Sequence, residues 1–245
     1  MNNMKFILMD IEGTTTSLSF VKDILFPYSE NKMPDFIKNI DLLDNSEDSN
    51  ISKEQISSIK NILNNLKKEF SEKNNILLEN VLIDDISNML VNFIKKDVKN
   101  PFLKELQGYL WEYGYKNNDF KGHIYSDVFL AFEKWKKLGI TLGIYSSGSI
   151  FAQKLLFKYS DYGDLTPYLT YHFDLSTGGK KEKLSYEKIS KEIGLNPNEI
   201  LFLSDVFEEL DSAHQAGFKV CQILRPDVIT QDKYKTSKDF MELVF

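Results

Sequence analysis

Cysteine is almost missing from this chain: Cys221 is the only one in 245 residues, which excludes an intrachain disulfide and fits a reducing compartment. A basic excess is missing too. There are 30 Lys and Arg against 36 Asp and Glu, a formal net charge of −6, and that balance argues against a nucleic-acid binder. No apolar run approaches the roughly 18 residues that span a bilayer. Near the amino terminus Lys5 precedes a short apolar run, but Asp10 interrupts it and no small-residue cleavage site follows, so no signal peptide is expected. Histidine is scarce as well. His123, His172 and His214 stand at spacings that match no metal motif, which argues against a histidine zinc site. The expectation from these absences is a soluble, cytoplasmic protein that does not engage membrane or nucleic acid.

What is present is core-forming material. Hydrophobic residues make up 42% of the chain, with 18 Phe and 12 Tyr, enough to exclude wholesale disorder. The length allows one large domain, or a core carrying a smaller inserted one. Residues 1–16 give one apolar strand and an acidic turn. From about 20 to 120 the pattern is helical: Ile56, Ile59, Ile62, Leu63, Leu66 and Phe70 keep a three-and-four spacing, as do Ile86, Met89, Leu90, Phe93 and Ile94. A polar stretch from Asp44 to Asn50 reads as a solvated loop, and Trp111 with Tyr109, Tyr113 and Tyr115 mainly as helical-block core.

From about 121 onward strands and helices alternate. Ser126 reads as the cap of a helix with Val128, Phe129, Phe132, Trp135 and Leu138 on one face, ended by Gly139. Strands are expected at 140–145, 169–173, 200–203 and 218–223, with helices carrying Leu155, Leu156 and Tyr159, then Tyr186, Ile189 and Ile193. Alternation of this kind implies a mainly parallel sheet with helices on both faces. The block of about a hundred residues after the first strand is then an inserted helical subdomain. Cys221 falls in an apolar strand and reads as core, not as a nucleophile.

The strand ends carry the chemistry. The first ends at Asp10, followed by Glu12, Gly13, Thr14 and Thr15; the second runs into Ser146-Ser147-Gly148-Ser149. Thr177-Gly178-Gly179-Lys180 follows the third, and Ser204-Asp205 ends the fourth, with Glu208 and Glu209 just beyond. Open α/β sheets place ligands at the carboxyl ends of their strands. Carboxylates, a hydroxyl turn opening a helix, and a lysine suit Mg²⁺-assisted phosphoryl transfer, in which an aspartate can be the covalent acceptor.

On these residues the chain resembles the haloacid dehalogenase superfamily, whose signature is a strand ending in Asp-x-Asp. Glu12 departs from that pattern. The wording Asp10-Ile-Glu-Gly-Thr-Thr-Thr16, with Ser19-Phe-Val21, Leu25-Phe-Pro-Tyr28, Leu106-Gln-Gly-Tyr-Leu-Trp111, Tyr145-Ser-Ser-Gly-Ser149, Ala152-Gln-Lys-Leu-Leu156 and Leu203-Ser-Asp-Val206, is similar to the enolase-phosphatases of methionine salvage, or acireductone synthases, where the Glu is usual. The resemblance spans the chain except for residues 30–100. It implies an α/β, Rossmann-like core of residues 1–18 and 121–245 with an all-α helical cap of residues 19–120 inserted.

The resemblance also implies roles. Asp10 is the nucleophile and a ligand of one Mg²⁺ per subunit; Asp205 is a second ligand; Glu12 is a metal ligand or a proton shuttle, which stays open. Ser146 and Ser147 bind the substrate phosphate, with Lys180, preferred over Lys181, neutralising it. Glu209 is a supporting acid, while Glu208 and Asp211 read as exposed charges. The reaction implied is Mg²⁺-assisted enolisation of 2,3-diketo-5-methylthiopentyl-1-phosphate, then removal of phosphate through an aspartyl-phosphate, by a monomer. The alternative is a phosphatase or phosphomutase of the superfamily acting on another small phosphorylated metabolite, which would normally carry Asp at position 12. A dehalogenase needs no acid pair such as Glu12 with Asp205. A phospho-acceptor signalling domain is far shorter, and a catalytically silent binding module would release no phosphate.

Overall fold

A computed structural model describes residues 4–45, 50–226, 228, 230 and 233–243. The chain separates into two compact units, Val21–Phe120, and Met1–Phe20 with Lys121–Phe245.

The first unit is helical: α1 (Phe26–Lys38), α2 (Ile40–Asp44), α3 (Lys53–Asn74), α4 (Ile83–Lys95) and α5 (Pro101–Lys116). Helix α3 starts at a reciprocal cap, in which the Ser52 hydroxyl accepts from Gln55 N–H and the Gln55 side chain accepts from Ser52 N–H. It stops where Asn75 turns left-handed, at φ 54°. Ile56, Ile59, Ile62, Leu63 and Leu66 pack against Ile86, Leu90 and Ile94 of α4 and Leu103, Leu106 and Leu110 of α5. Phe70, Met89 and Phe93 lie half-buried at the edge of this cluster. Each fully buried Leu or Ile stabilises by about 1.5–3 kcal/mol. Trp111 donates its indole N–H to Ser29 Oγ at 2.8 Å, which satisfies its polar edge. The polar loop expected over 44–50 begins later than the sequence suggested, because Asp44 ends α2; positions 46–49 lie outside the described residues.

The second unit holds one parallel sheet of β1 (Phe6–Met9), β2 (Thr141–Tyr145), β3 (Leu169–Phe173), β4 (Ile200–Ser204), β5 (Lys219–Ile223) and β6 (Thr236–Ser237), in the order β3-β2-β1-β4-β5-β6. Connecting helices are α6 (Ser126–Lys137), α7 (Ile150–Lys158), α8 (Lys183–Ile193) and α9 (Phe207–Gln215). Strands β1 and β4 are buried along their whole length, which is why they read as unbroken apolar runs. The α/β, doubly wound class expected from the alternation is the fold observed, with β6 added. Two residues are too short to show a period of two, so β6 left no pattern to read.

Details shift by a residue. Ser126 is the first helical residue of α6 and not its cap, since Tyr125 occupies the cap position without a side-chain bond. Leu138, expected on the buried face, is 62% exposed because it lies just past Lys137, the last helical residue, at the turning cap position. Gly139 then takes φ +72°, the left-handed turn that lets the chain enter β2.

The winding reverses at β1. The chain passes from β1 outward to β2 and β3, then returns to β4 on the other side of β1. The crevice at such a switch point is where open α/β sheets bind ligands. Met9 pairs with Ile144 on one side and Leu203 on the other, so the residues just past the ends of β1, β2 and β4 stand side by side. A buried ion pair braces the same unit. Arg225 meets Asp127 through Nη1–Oδ1 at 3.0 Å and Nη2–Oδ2 at 2.9 Å, and donates from Nε to Thr14 O at 3.0 Å. Asp127 Oδ2 also accepts from Phe240 N–H at 2.9 Å.

Candidate active site

Asp10 is the first residue past β1 and is 4% exposed. Lys180, 7% exposed, sets its ammonium against Asp10 Oδ1 and, at 2.8 Å, Glu209 Oε2. Burial alone would lower a lysine, but the charges of Asp10 and Glu209 outweigh it and hold Lys180 well above the ordinary value. Glu209 is pushed up to about 7, first by burial and then by the charge of Asp10. It accepts from the Ser204 hydroxyl at 3.0 Å. Lys181, by contrast, is exposed and lies 3.7 Å from exposed Glu208. Asp211, expected to be exposed, is half-buried where it accepts from Lys233 and Tyr234.

The Lys180 loop is fixed through its backbone. Tyr186 OH donates to Lys180 O at 2.6 Å, Tyr145 OH to Gly178 O at 2.8 Å, and Ser185 Oγ to Gly179 O at 2.8 Å. Gly178 sits at φ +145° with Ser185 where a side chain would go, so only glycine fits.

Asp205 follows β4. Its carboxylate accepts from Thr14 Oγ1 at 3.2 Å, and its N–H donates to that same oxygen at 3.0 Å. The acid is pushed up to about 6, chiefly by burial and next by the nearby negative charge of Asp10. Gly13 permits the approach: at φ +72°, an added Cβ would lie 2.5 Å from Asp205 Oδ2. Thr14, Thr15 and Thr16 all direct their N–H groups at Ile11 O, closing the turn on which Glu12 is exposed.

The hydroxyl turn after β2 presents a buried Ser146 and an exposed Ser147. Ser146 Oγ accepts from Gly148 N–H at 3.3 Å, and Ser149 Oγ accepts from Ala152 N–H at 3.2 Å, which caps α7. Behind the turn Gln153, 1% exposed, hydrogen-bonds to Gly148 O, Phe173 O and the His172 ring. Burial, and then the charge of Lys154, push His172 down to about 4. His123 Nδ1 accepts from Ser17 N–H at 3.1 Å, and the His214 ring packs on Tyr234. Cys221 is buried in β5, its thiol raised to about 11 by burial.

Asp10, Lys180, Glu209 and Asp205 are thus drawn into one electrostatic cluster, with Ser146 and Ser147 at the end of the neighbouring strand. Among the described residues no three His, Cys, Asp or Glu side chains form a ready-made metal cage, so Glu12 is not gathered into one with the two aspartates. The donor chemistry nonetheless fits Mg²⁺. A buried carboxylate, Asp10, and a half-buried one, Asp205, repel each other's charge and are relieved by a hard cation. Mg²⁺ takes one or two protein carboxylates and completes its shell with water and phosphate oxygens. Sequence reasoning passed over Thr14, Tyr145, Tyr186, Gln153 and His172. Thr14, Tyr145 and Gln153 stood in the matched wording without a role, His172 was considered only as a metal ligand, and Tyr186 read as helix core. Only the folded chain shows their polar atoms aimed at the site loops.

Residues 4–217 match the family model for haloacid dehalogenase-like hydrolases. The chain is 46% identical to enolase-phosphatase E1 of Picosynechococcus sp., over 97% of this chain and 96% of that one. It is 44% identical to the protein of the same name from Sulfurihydrogenibium sp., over 98% and 97%. Among solved structures, the UTR4 protein of Saccharomyces cerevisiae aligns with a TM-score of 0.77 at 35% identity, covering 98% of this chain and all of that one. A dehalogenase at 16% identity and a TM-score of 0.54 shares the fold.

Proposed function

The chain belongs to the enolase-phosphatase E1 family of haloacid dehalogenase-like hydrolases, and from that premise we propose that it converts 2,3-diketo-5-methylthiopentyl-1-phosphate into the acireductone 1,2-dihydroxy-3-keto-5-methylthiopentene and inorganic phosphate, a step of methionine salvage. It is a hydrolase of phosphoric monoesters. We place its action in the cytoplasm, as a monomer with one Mg²⁺ per subunit. The observation that carries the phosphatase half is the buried contact of Lys180 with Asp10 beside Asp205, at the ends of adjacent strands. The enolase half is carried by the relatives' shared name over nearly the full chain.

In the proposed reaction Ser146 and Ser147 receive the phosphate and hold phosphorus before Asp10. Enolisation comes first: a C1 proton leaves and the C2 carbonyl oxygen gains one, giving the enol phosphate. An Asp10 oxygen then bonds to phosphorus as the bond to the bridging oxygen breaks, and that oxygen takes a proton, giving an aspartyl-phosphate and the acireductone. Water then attacks that phosphorus, and Asp10 leaves as a free carboxylate. Lys180 holds Asp10 in line and offsets the charge of the transferred group. Asp10 and Asp205 would hold Mg²⁺, with Glu12 as a further ligand or as the group that carries protons on and off. When bound, Mg²⁺ neutralises phosphate oxygens and polarises the substrate carbonyl.

A paired assay tests the reading: the diketopentyl phosphate with Mg²⁺, following enol absorbance and free phosphate together, beside a panel of sugar phosphates. The expected result is both signals from the diketone and little phosphate from the panel. Phosphate from sugar phosphates with the diketone untouched would contradict the methionine-salvage assignment and leave the phosphatase.

A further inference from the structure

We infer that Gln153 is a positioning residue for the phosphate-receiving turn, locked in its working orientation by His172. The inference rests on the reading of Ser146–Ser149 as the phosphate site. Gln153 lies on the first turns of α7 and is 1% exposed, so its amide must be satisfied internally. Nε2 donates one hydrogen to Gly148 O at 3.0 Å and the other to Phe173 O at 2.8 Å. The first acceptor is in the turn itself; the second is the carbonyl at the end of β3 that also receives Ser146 N–H at 3.2 Å. One amide therefore ties the turn to the neighbouring strand at both of its ends.

Orientation matters because an amide can be flipped. Reversed, Gln153 would aim its oxygen at two carbonyl oxygens, an arrangement with no hydrogen bond at all. His172 Nδ1 lies 3.2 Å from Gln153 Oε1, and since an amide oxygen only accepts, Nδ1 carries the proton. The ring thus holds the oxygen and leaves both N–H groups for the turn. The consequence falls on the other side of the peptide. A trans peptide points its C=O and N–H in opposite directions, so fixing Gly148 O toward Gln153 turns Ser149 N–H away from it. Among the described residues the N–H groups of Ser147 and Ser149 take no partner, which leaves them as donors for an anion.

The test uses inorganic phosphate as the probe, read as a competitive inhibitor of the Mg²⁺-loaded enzyme and by its thermal shift. Gln153→Met keeps length and apolar bulk but donates nothing. It is expected to raise both the phosphate inhibition constant and KM about tenfold, the loss of roughly one net hydrogen bond, while kcat falls less than threefold. His172→Leu should raise the phosphate constant in the same direction by about threefold. His172→Asn, whose amide nitrogen replaces Nδ1, should restore it. A Gln153→Met or His172→Leu enzyme whose phosphate constant stays within twofold of the parent overturns the inference, even if its melting temperature falls. If Gln153→Met does not fold, the two His172 variants decide. Ser147→Ala separates the failures: if it too leaves the phosphate constant unchanged, the turn is not the phosphate site and the underlying reading falls.

Discussion

Asp205 shows how one residue's surroundings suit it to the Mg²⁺ site proposed. Its carboxyl is pushed up to about 6 by burial and by Asp10, against 3.8 for an ordinary aspartate. A raised acid binds more protons folded than unfolded, so its contribution to stability is present below pH 3.8 and is lost as pH rises through about 6. A divalent cation binds the ionised form and reverses that loss. The thermal shift produced by a fixed Mg²⁺ concentration should therefore grow between pH 5 and pH 7, and Asp205→Asn should abolish the growth. A shift equal at both pH values would show that Asp205 does not hold the ion. Asp10, Asp205 and the hydroxyl turn were legible because their residue types stand at strand ends. Lys180 could be told from Lys181 only weakly, since a basic run reads as solvated surface. What separates them is burial against Asp10 and Glu209, which exists only after folding. Gln153 and His172 were illegible for the same reason: a glutamine in an apolar helix carries no local sign of where its amide points.

At the scale of elements, periodicity did most of what it can do. The helices of the Val21–Phe120 unit follow their apolar stripes, and the buried strands follow their apolar runs. Errors gathered at the ends, as with Ser126 and Leu138, where a cap or a turn decides and spacing does not. The carboxyl-terminal segment was least legible, because it is held by specific pairs more than by a repeating face. Asp127, at the start of α6, accepts from Arg225 and from Phe240 N–H. Removing it would strand a buried guanidinium. Asp127→Ala is expected to cost about 3–5 kcal/mol in urea unfolding, whereas replacing both partners with apolar residues should cost less. Equal losses in the single and double variants would mean that the pair is not what holds this segment.

For the whole molecule, alternation of strands and helices predicts a doubly wound sheet but not which strand lies at its centre. Here β1 takes that place, between β2 and β4, so residues 195 positions apart, Asp10 and Asp205, become neighbours. The large helical segment interrupts the chain between the turn after β1 and α6 and leaves the sheet's order intact, which is why the strand-end signature can be read across it. Membership of the enolase-phosphatase family then supports the substrate proposed, which sheet topology alone does not reach. The central claim is that Asp10 carries the phosphoryl group. Acid quenching during turnover of substrate labelled in its phosphate, followed by peptide mapping, tests it most directly. Label on the peptide containing Asp10, absent from Asp10→Asn, is the predicted result. An enzyme that turns over without ever carrying label, or that carries it on another residue, would contradict the account.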